Sequence, residues 1–299
     1  MAIRLAFSTV ACPDWTIDKV VQQAAEMGYE GVELRTLGPG GSGLASDPML
    51  SKPDTTRGAF EAQGIVPVCL STSWSVYHDD PSVCQDAFWQ IKHSLEWAAQ
   101  IGCSCVRVFG YEVGLGLDRS KIIERLAERV SALADVAGSL GVQLLLENTG
   151  PMAASKPWWW LLNVVDHPMV GLCWNVANAA AVGESPSVSV PMLNSRIRLA
   201  KVKDTQVGQG SGFVPLGDGT VGIQSFLKRL LGVGYDGFVT VEWDRLWLAS
   251  LASAQTYLPD ARQRLSGWLD TISQAQEKGR AVAEKAAAKN APKPRAKAG

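Results

Sequence analysis

Short runs of β-branched and aliphatic residues alternate along most of the chain with longer stretches whose apolar positions recur every three or four residues. The short runs predict eight strands, at Ile3–Thr9, Gly31–Arg35, Ile65–Ser71, Cys105–Phe109, Val142–Glu147, Val170–Trp174, Arg196–Val202 and Gly237–Glu242. The longer stretches predict amphipathic helices. In Thr16–Met27 the residues Ile17, Val20, Val21, Ala24 and Met27 share one stripe, and in Lys121–Leu140 Ile122, Leu126, Val130, Leu133 and Ala137 do the same. Most strands follow a turn with glycine at the helix end, at Gly28, Gly64, Gly102, Gly141 and Gly234, the place where a left-handed residue closes a helix. Strict alternation implies parallel strands joined by right-handed crossovers. Eight such units in about 270 residues match a closed (β/α)8 TIM barrel. We therefore expect one α/β domain over residues 1–270. An open doubly wound sheet is the structural alternative. No G-x-G-x-x-G follows the first strand, so no nucleotide cofactor is expected.

Beyond Thr271 the pattern dissolves. Residues 271–299 read as the end of a helix followed by a disordered basic tail, and Ala281–Gly299 is rich in Ala, Lys and Pro, with Lys285, Lys289, Lys293, Arg295 and Lys297 against Glu284 alone. Without aromatic residues it reads as a solvated tail rather than a nucleic-acid-binding arm. The body, at 46% hydrophobic and 19% charged with a net charge of −1, has the balance of a globular protein and no basic surplus to recruit nucleic acid. The start carries one basic residue, Arg4, and a short apolar run, and no run elsewhere is long enough to span a bilayer. Neither a signal peptide nor a membrane partner is expected, and the reading is cytoplasmic. Six cysteines fall in apolar segments, as buried reduced thiols would.

In a barrel of this kind the reactive groups sit at the C-terminal ends of the strands. The fifth strand runs into Glu147-Asn148, the sixth into Asn175, the seventh through Lys201 and Lys203, and the eighth into Glu242. A strand buried on both faces has no structural need of such residues, because an unpaired buried charge is costly. A functional site is the reading; ion pairs with Arg107 or Lys203 are the structural alternative.

Here a resemblance becomes specific. Glu147-Asn148 after three leucines, Lys203-Asp204, the run 214–219, the run 234–242 and the opening 28–35 together resemble the sugar phosphate isomerase/epimerase family. These are xylose isomerase-like TIM barrels of the AP endonuclease family 2 superfamily, and the resemblance covers the chain from about Ile3 to Trp247. It implies a sugar, sugar-phosphate or polyol isomerase or epimerase that moves a proton next to a carbonyl. It also implies a divalent cation such as Mn²⁺, Mg²⁺ or Zn²⁺, held by a glutamate after strand five, an aspartate after strand six, a histidine on strand seven and a glutamate after strand eight. The cation would polarise the carbonyl, and the two glutamates would move the proton. This chain has Glu147 and Glu242, but Asn175 where the aspartate is expected and Lys201 where the histidine is. Asparagine can still lend a carbonyl oxygen to a hard cation; an ammonium cannot ligate and repels one.

The expected catalytic residues are thus Glu147, Glu242 and Lys201, and the expected metal ligands Glu147, Asn175 and Glu242. Three outcomes stay open: a depleted metal site, a metal-free enzyme with Lys201 as electrophile, and a non-catalytic sugar-binding barrel in which Lys201 has replaced the metal. The related DNA-repair endonucleases need a histidine-rich zinc cluster and a basic groove, which three histidines and an acidic body do not supply. The partner expected is a small sugar-like molecule, with Arg107, Lys203, His78 and Glu33 as contacts and Arg35 beside them. For His78, in the loop after the third strand, the alternative is a polar residue at a helix start. Among eleven tryptophans, Trp174 and Trp243 are expected as ligand walls, against a competing role facing the helices. Trp158–Trp160 after the fifth strand, with Trp74 and Trp247 near other rim loops, are further candidates to stack on a sugar face; for Trp158–Trp160 the alternative is to pack a helix or a contact between subunits of a homo-oligomer.

Overall fold

The computed structural model describes residues 3–38, 43–111, 119–208 and 212–290. Its strands are β1 (Arg4–Ser8), β2 (Gly31–Arg35), β3 (Val66–Tyr77), β4 (Cys105–Tyr111), β5 (Gln143–Glu147), β6 (Val170–Asn175), β7 (Ile197–Val202), β8 (Asp204–Thr205), β9 (Phe213–Val214) and β10 (Phe238–Val241). All but β8 and β9 join in one closed parallel barrel, in the order β1-β10-β7-β6-β5-β4-β3-β2, with β8 and β9 forming a small antiparallel hairpin. The chain is a single-domain (β/α)8 TIM barrel. No helix among the described residues is long and apolar enough to cross a membrane.

The helices cover the outside: α1 (Ile17–Met27), α2 (Pro53–Gln63), α3 (Pro81–Ile101), α4 (Arg119–Leu140), α5 (Ser155–Val165), α6 (Val176–Ala181), α7 (Pro186–Leu193), α8 (Ile223–Gly232) and α9 (Ala254–Asn290). Thr16 caps α1 by accepting from the Lys19 N–H at 3.4 Å, and Gly28 ends it in the left-handed conformation at φ 76°. The predicted stripes are the buried faces, with Val20, Val21 and Ala24 on α1 and Ile122, Leu126, Val130, Leu133 and Ala137 on α4. The last helix ties the ring shut. Arg262 donates to the Gly28 carbonyl at 2.8 Å, Tyr29 donates to the Leu258 carbonyl at 2.8 Å, and Arg264 reaches the Leu216 carbonyl at 2.8 Å. Helix α9 runs to Asn290; Lys293, Arg295 and Lys297 lie outside the described residues.

Most predicted strand ends agree within a residue. The exceptions are β3 and β4, which continue to Tyr77 and Tyr111 and pair there through Ser75↔Phe109 and Tyr77↔Tyr111 after a register shift. The run Ser71-Thr72-Ser73-Trp74-Ser75 is polar enough to read as a loop, yet tertiary pairing keeps it extended.

Strand alternation sorts the interior into two layers. Ala6, Val68, Cys69, Cys105, Leu145, Cys173, Leu199 and Phe238 form a small apolar cluster separate from the large one between sheet and helices. Two residues further along several of these strands stand Arg107, Glu147, Asn175 and Lys201, on the same face by the period of two. All six cysteines are free and buried.

Gly31 shows how tightly the lower layer is packed. A Cβ there would lie 2.3 Å from Val68 Cγ2 and 2.8 Å from Phe238 Cε1. Gly31→Ala is therefore expected to cost about 1–3 kcal/mol through overpacking, read as a lower urea midpoint at unchanged m-value.

Candidate active site

Above the apolar layer the inward positions become charged, and they meet at the C-terminal mouth. A cavity of about 370 Å³ opens there, with Glu33, Arg35, Arg107, Glu147, Lys201, Lys203, Glu242 and Asp244 in its walls beside Thr149, Asn178, Phe109, Phe213 and Trp247. A larger groove of about 740 Å³ lies outside the barrel against α4 and α5, walled by Ile123, Pro157, Trp160 and Val164. Among the described residues its only ionisable wall residues are Glu124 and Lys156. Convergent polar groups, not volume, mark the mouth as the site.

Lys201 is the hub. It is 2% exposed, and its Nζ lies 2.7 Å from Glu242 Oε2, 3.1 Å from Glu33 Oε1 and 3.6 Å from Glu147 Oε2. Burial works against its charge, but Glu147, Glu242 and Glu33 together hold the ammonium well above its ordinary pKa. Glu33 Oε1 also accepts from Ser71 Oγ at 2.8 Å and Ser8 Oγ at 3.2 Å, while its Oε2 is buried with no hydrogen-bond partner among the described residues. Arg107 places Nε 2.9 Å from Glu147 Oε2. That contact meets the distance of an ion pair, but neither atom is aligned as a hydrogen bond, so the attraction is chiefly coulombic. Lys203 Nζ lies 3.0 Å from both Glu242 Oε1 and Asp244 Oδ2, and 4.8 Å above the Phe213 ring. Although burial opposes ionisation of Glu242, Lys201 and Lys203 hold its pKa well below the usual range.

Asn175 lies between the two outer carboxylates. Its Nδ2 donates to Glu147 Oε1 and Glu242 Oε2, both at 3.2 Å, and its carbonyl oxygen accepts from the Ala177 N–H at 3.2 Å as the cap of α6. The neighbouring Asn148 accepts from the Asn175 N–H at 2.7 Å and donates to the carbonyls of Asn175 and Ala153, both at 3.0 Å. This locks the ends of β5 and β6 together. Asp204 does the same for the hairpin: its carboxylate accepts from the N–H groups of Thr205, Gly217, Gly219 and Val221 at 2.8–3.3 Å.

The donor set does not fit a divalent ion. An ammonium occupies the point where Glu33, Glu147 and Glu242 converge, and Asn175 presents N–H groups to the carboxylates while its oxygen serves a helix N-terminus. The four cavity carboxylates, Glu33, Glu147, Glu242 and Asp244, are matched by four cations, Arg35, Arg107, Lys201 and Lys203. Among the described residues no surplus of negative charge is left for an ion to neutralise. Among the described residues no group of three or more His, Cys, Asp or Glu side chains is arranged to hold a metal.

Of the predicted site residues, Glu33, Arg107, Glu147, Lys201, Lys203 and Glu242 line the cavity, and Asn175 hydrogen-bonds two of them. His78 is not among them. Its Nδ1 accepts from the Asp80 N–H at 3.0 Å where α3 begins, so it lies apart from the charged cluster. Trp174 and Trp243 are turned outward: Trp174 is fully buried in the main core, and Trp243 stacks on Tyr257 with ring centroids 3.8 Å apart. Strand alternation forces this, since each neighbours an inward polar residue. Trp247, one of the rim tryptophans, does line the cavity, whereas Asp244 was overlooked. Asp244 could have been found, because it lies two residues past Glu242 and shares its face.

The chain matches the family model described as xylose isomerase-like TIM barrel over residues 21–269. It is 23% identical over 248 residues to fructoselysine 3-epimerase of Escherichia coli O157:H7, covering 76% of this chain and 85% of that protein. Among solved structures it resembles an IolI protein with a binding zinc atom, with a TM-score of 0.79 at 18% identity over 90% of this chain and 99% of the other. It also resembles an L-ribulose 3-epimerase, with a TM-score of 0.77 at 14% identity over 98% of this chain and the whole of the other. At such identities the two structures speak to the fold alone.

Asp244 offers a pH test of the cluster's electrostatics. Burial and repulsion from Glu242 raise its pKa from 3.8 to about 6, against the pull of Lys203. The native state therefore binds more protons than the unfolded chain between these values. Stability from this group grows as pH falls through about 6, and its charged form costs stability above that. Asp244→Asn is expected to raise Tm above about pH 7, by a margin that shrinks toward pH 4. A margin that widens toward acid would contradict the sign.

Proposed function

The chain belongs to the xylose isomerase-like TIM barrel family, and from that premise we propose that it is a sugar isomerase or epimerase, moving a proton at a carbon beside a carbonyl. The observation that carries this reading is the pairing of Glu147 and Glu242 at one cavity mouth, each within reach of the same Asn175 amide and the same Lys201 ammonium. One carboxylate takes the C–H proton, the C–H electron pair moves through to the carbonyl oxygen as an enediolate, and a carboxyl returns a proton to the same or the opposite face. Glu242, held ionised by Lys201 and Lys203, suits the accepting role. The ion pairs that keep it charged also make it a weaker base. The same cations offset this by stabilising the negative oxygen of the enediolate.

The proton transfer uses only side chains of this chain. Lys203 uses two of its three N–H groups on Glu242 and Asp244, leaving the third for an oxygen of the substrate. Glu33 Oε2, buried and without a hydrogen-bond partner among the described residues, supplies an acceptor for a hydroxyl hydrogen. Arg107, with its forked donors, is the remaining substrate contact. Phe109, Phe213 and Trp247 give apolar faces for sugar C–H groups. A cavity of about 370 Å³ suits a small sugar-sized ligand.

One observation favours a second reading, a sugar-binding barrel without turnover. Lys201 donates to Glu33 Oε1 and is ion-paired with Glu242 and Glu147 at 2.7 and 3.6 Å, so its charge is already engaged by three carboxylates rather than aimed at a substrate carbonyl, and the raised pKa keeps the amine protonated and unable to form a Schiff base. The two readings separate on solvent exchange. Incubation with a panel of ketoses and inososes in D₂O is expected to wash deuterium into the C–H beside the carbonyl, and Glu147→Gln to slow this by about 100-fold or more. Calorimetric binding without exchange would select the second reading; neither binding nor exchange would remove both.

A further inference from the structure

We propose that the Lys201 ammonium is this barrel's resident cation, standing where the resemblance places a divalent ion, and that the site holds no exchangeable metal. The proposal rests on the reading above for the location of the site but not for its reaction.

Three features carry it. First, Glu33, Glu147 and Glu242 come from separate strands and converge on one Nζ, at 3.1, 3.6 and 2.7 Å. That is how anionic ligands gather round an ion, except that this ion is tethered to β7. Second, Asn175 is turned to suit an ammonium rather than a metal. Its N–H groups reach Glu147 and Glu242 at 3.2 Å while its carbonyl oxygen is used on the Ala177 N–H. An aspartate there would set a further carboxylate against two others, which only a doubly charged ion could reconcile. Third, the charges balance. A divalent ion with one aspartate and a neutral histidine carries a net single positive charge, and Lys201 with Asn175 carries the same. The two departures from the expected ligand set are thus one coupled exchange. Glu33 completes it as a third anion that pins the ammonium, and serine hydroxyls from two flanking strands fix Glu33 in turn.

A tethered cation differs from a bound one in ways that can be measured. It cannot be chelated, its loss requires a mutation, and restoring both replaced residues should restore the ion. The full chain is purified without added metal as wild type, as Lys201→Met and as the double variant Lys201→His with Asn175→Asp. Elemental analysis and Mn²⁺ titration calorimetry are combined with Tm in the presence of EDTA or millimolar Mn²⁺.

The wild type is expected to carry no stoichiometric metal and to keep its Tm with either reagent. The double variant is expected to take up a single Mn²⁺ per chain, with Tm rising by several degrees when Mn²⁺ is present. Lys201→Met, which strips the carboxylates of their cation, is expected to lose Tm and to regain part of it with Mn²⁺. A wild type that holds an ion tightly enough to survive purification, and releases it to EDTA, overturns the proposal. So does a folded double variant that binds Mn²⁺ no better than wild type. If that variant does not fold, a Lys201→Met protein that Mn²⁺ fails to rescue overturns it; if neither folds, the wild-type metal content decides. None of these readings involves turnover, so a failed exchange assay and a failed metal assay remain separate results.

Discussion

Three carboxylates meet at one buried point in this barrel, and the Lys201 ammonium is what allows them to. Two like charges about 4 Å apart at an effective dielectric of about 20 repel by about 4 kcal/mol. Carboxylates brought together as Glu33, Glu147 and Glu242 are call for a shared counter-charge, and Lys201 supplies it. The same arithmetic says that stability is not the reason for the cluster. Well-packed apolar residues in place of a buried ion pair often leave a protein equally or more stable, whereas removing one partner of such a pair costs about 3–5 kcal/mol. A fold that keeps eight balanced charges among the described residues at the mouth of its barrel bears a burden that packing alone does not require, and a ligand is the economical reason for it.

The scaffold serves that point of convergence. Barrel closure brings β2, β5, β6, β7 and β10 around one axis, and a side-chain period of two carries each from an apolar layer into the charged one. The ends are then stiffened by polar groups that never enter the cavity. Asn148 ties β5 to β6, and Asp204 gathers four backbone N–H groups so that the hairpin brings Phe213 over Lys203. A Cβ at Gly219 would fall 2.1 Å from Asp204 Oδ1, so that turn accepts nothing larger than glycine.

Much of this was legible in the sequence. Aliphatic runs alternating with 3.6-period stretches are a strong signal, and they located all eight barrel strands. The polar residues that end β5, β6, β7 and β10 were visible for the same reason, since they break apolar runs that would otherwise continue. What alternation could not supply is distance between strands far apart in the chain. Glu33 and Lys201, 168 residues apart, carry no mutual signal in a single sequence. The amide of Asn175 could equally have presented its oxygen, and only its neighbours decide. The tryptophans misled because large aromatic residues beside polar ones suggest a sugar wall, while the strand period turns Trp174 and Trp243 to the helices. His78 misled because position in a rim loop says nothing of which way a short turn will face.

The apolar layer beneath the charges has a consequence of its own. Cys105, whose thiol a hydrogen bond with Cys69 and then burial hold well above its ordinary pKa, and Cys173, raised chiefly by burial, join Leu145, Leu199 and Phe238 in a floor of low polarity. Field lines from the ions above cannot spread downward into such a floor and are pushed outward through the mouth. Because the charges of the described residues cancel in sum but alternate in space, what they project is a steep, patterned potential with almost no monopole. Such a potential draws molecules weakly from afar and turns them firmly once they arrive. It would discriminate among neutral polyols by the handedness of their hydroxyl dipoles, and would be nearly indifferent to ionic strength until the ligand is within a few ångströms.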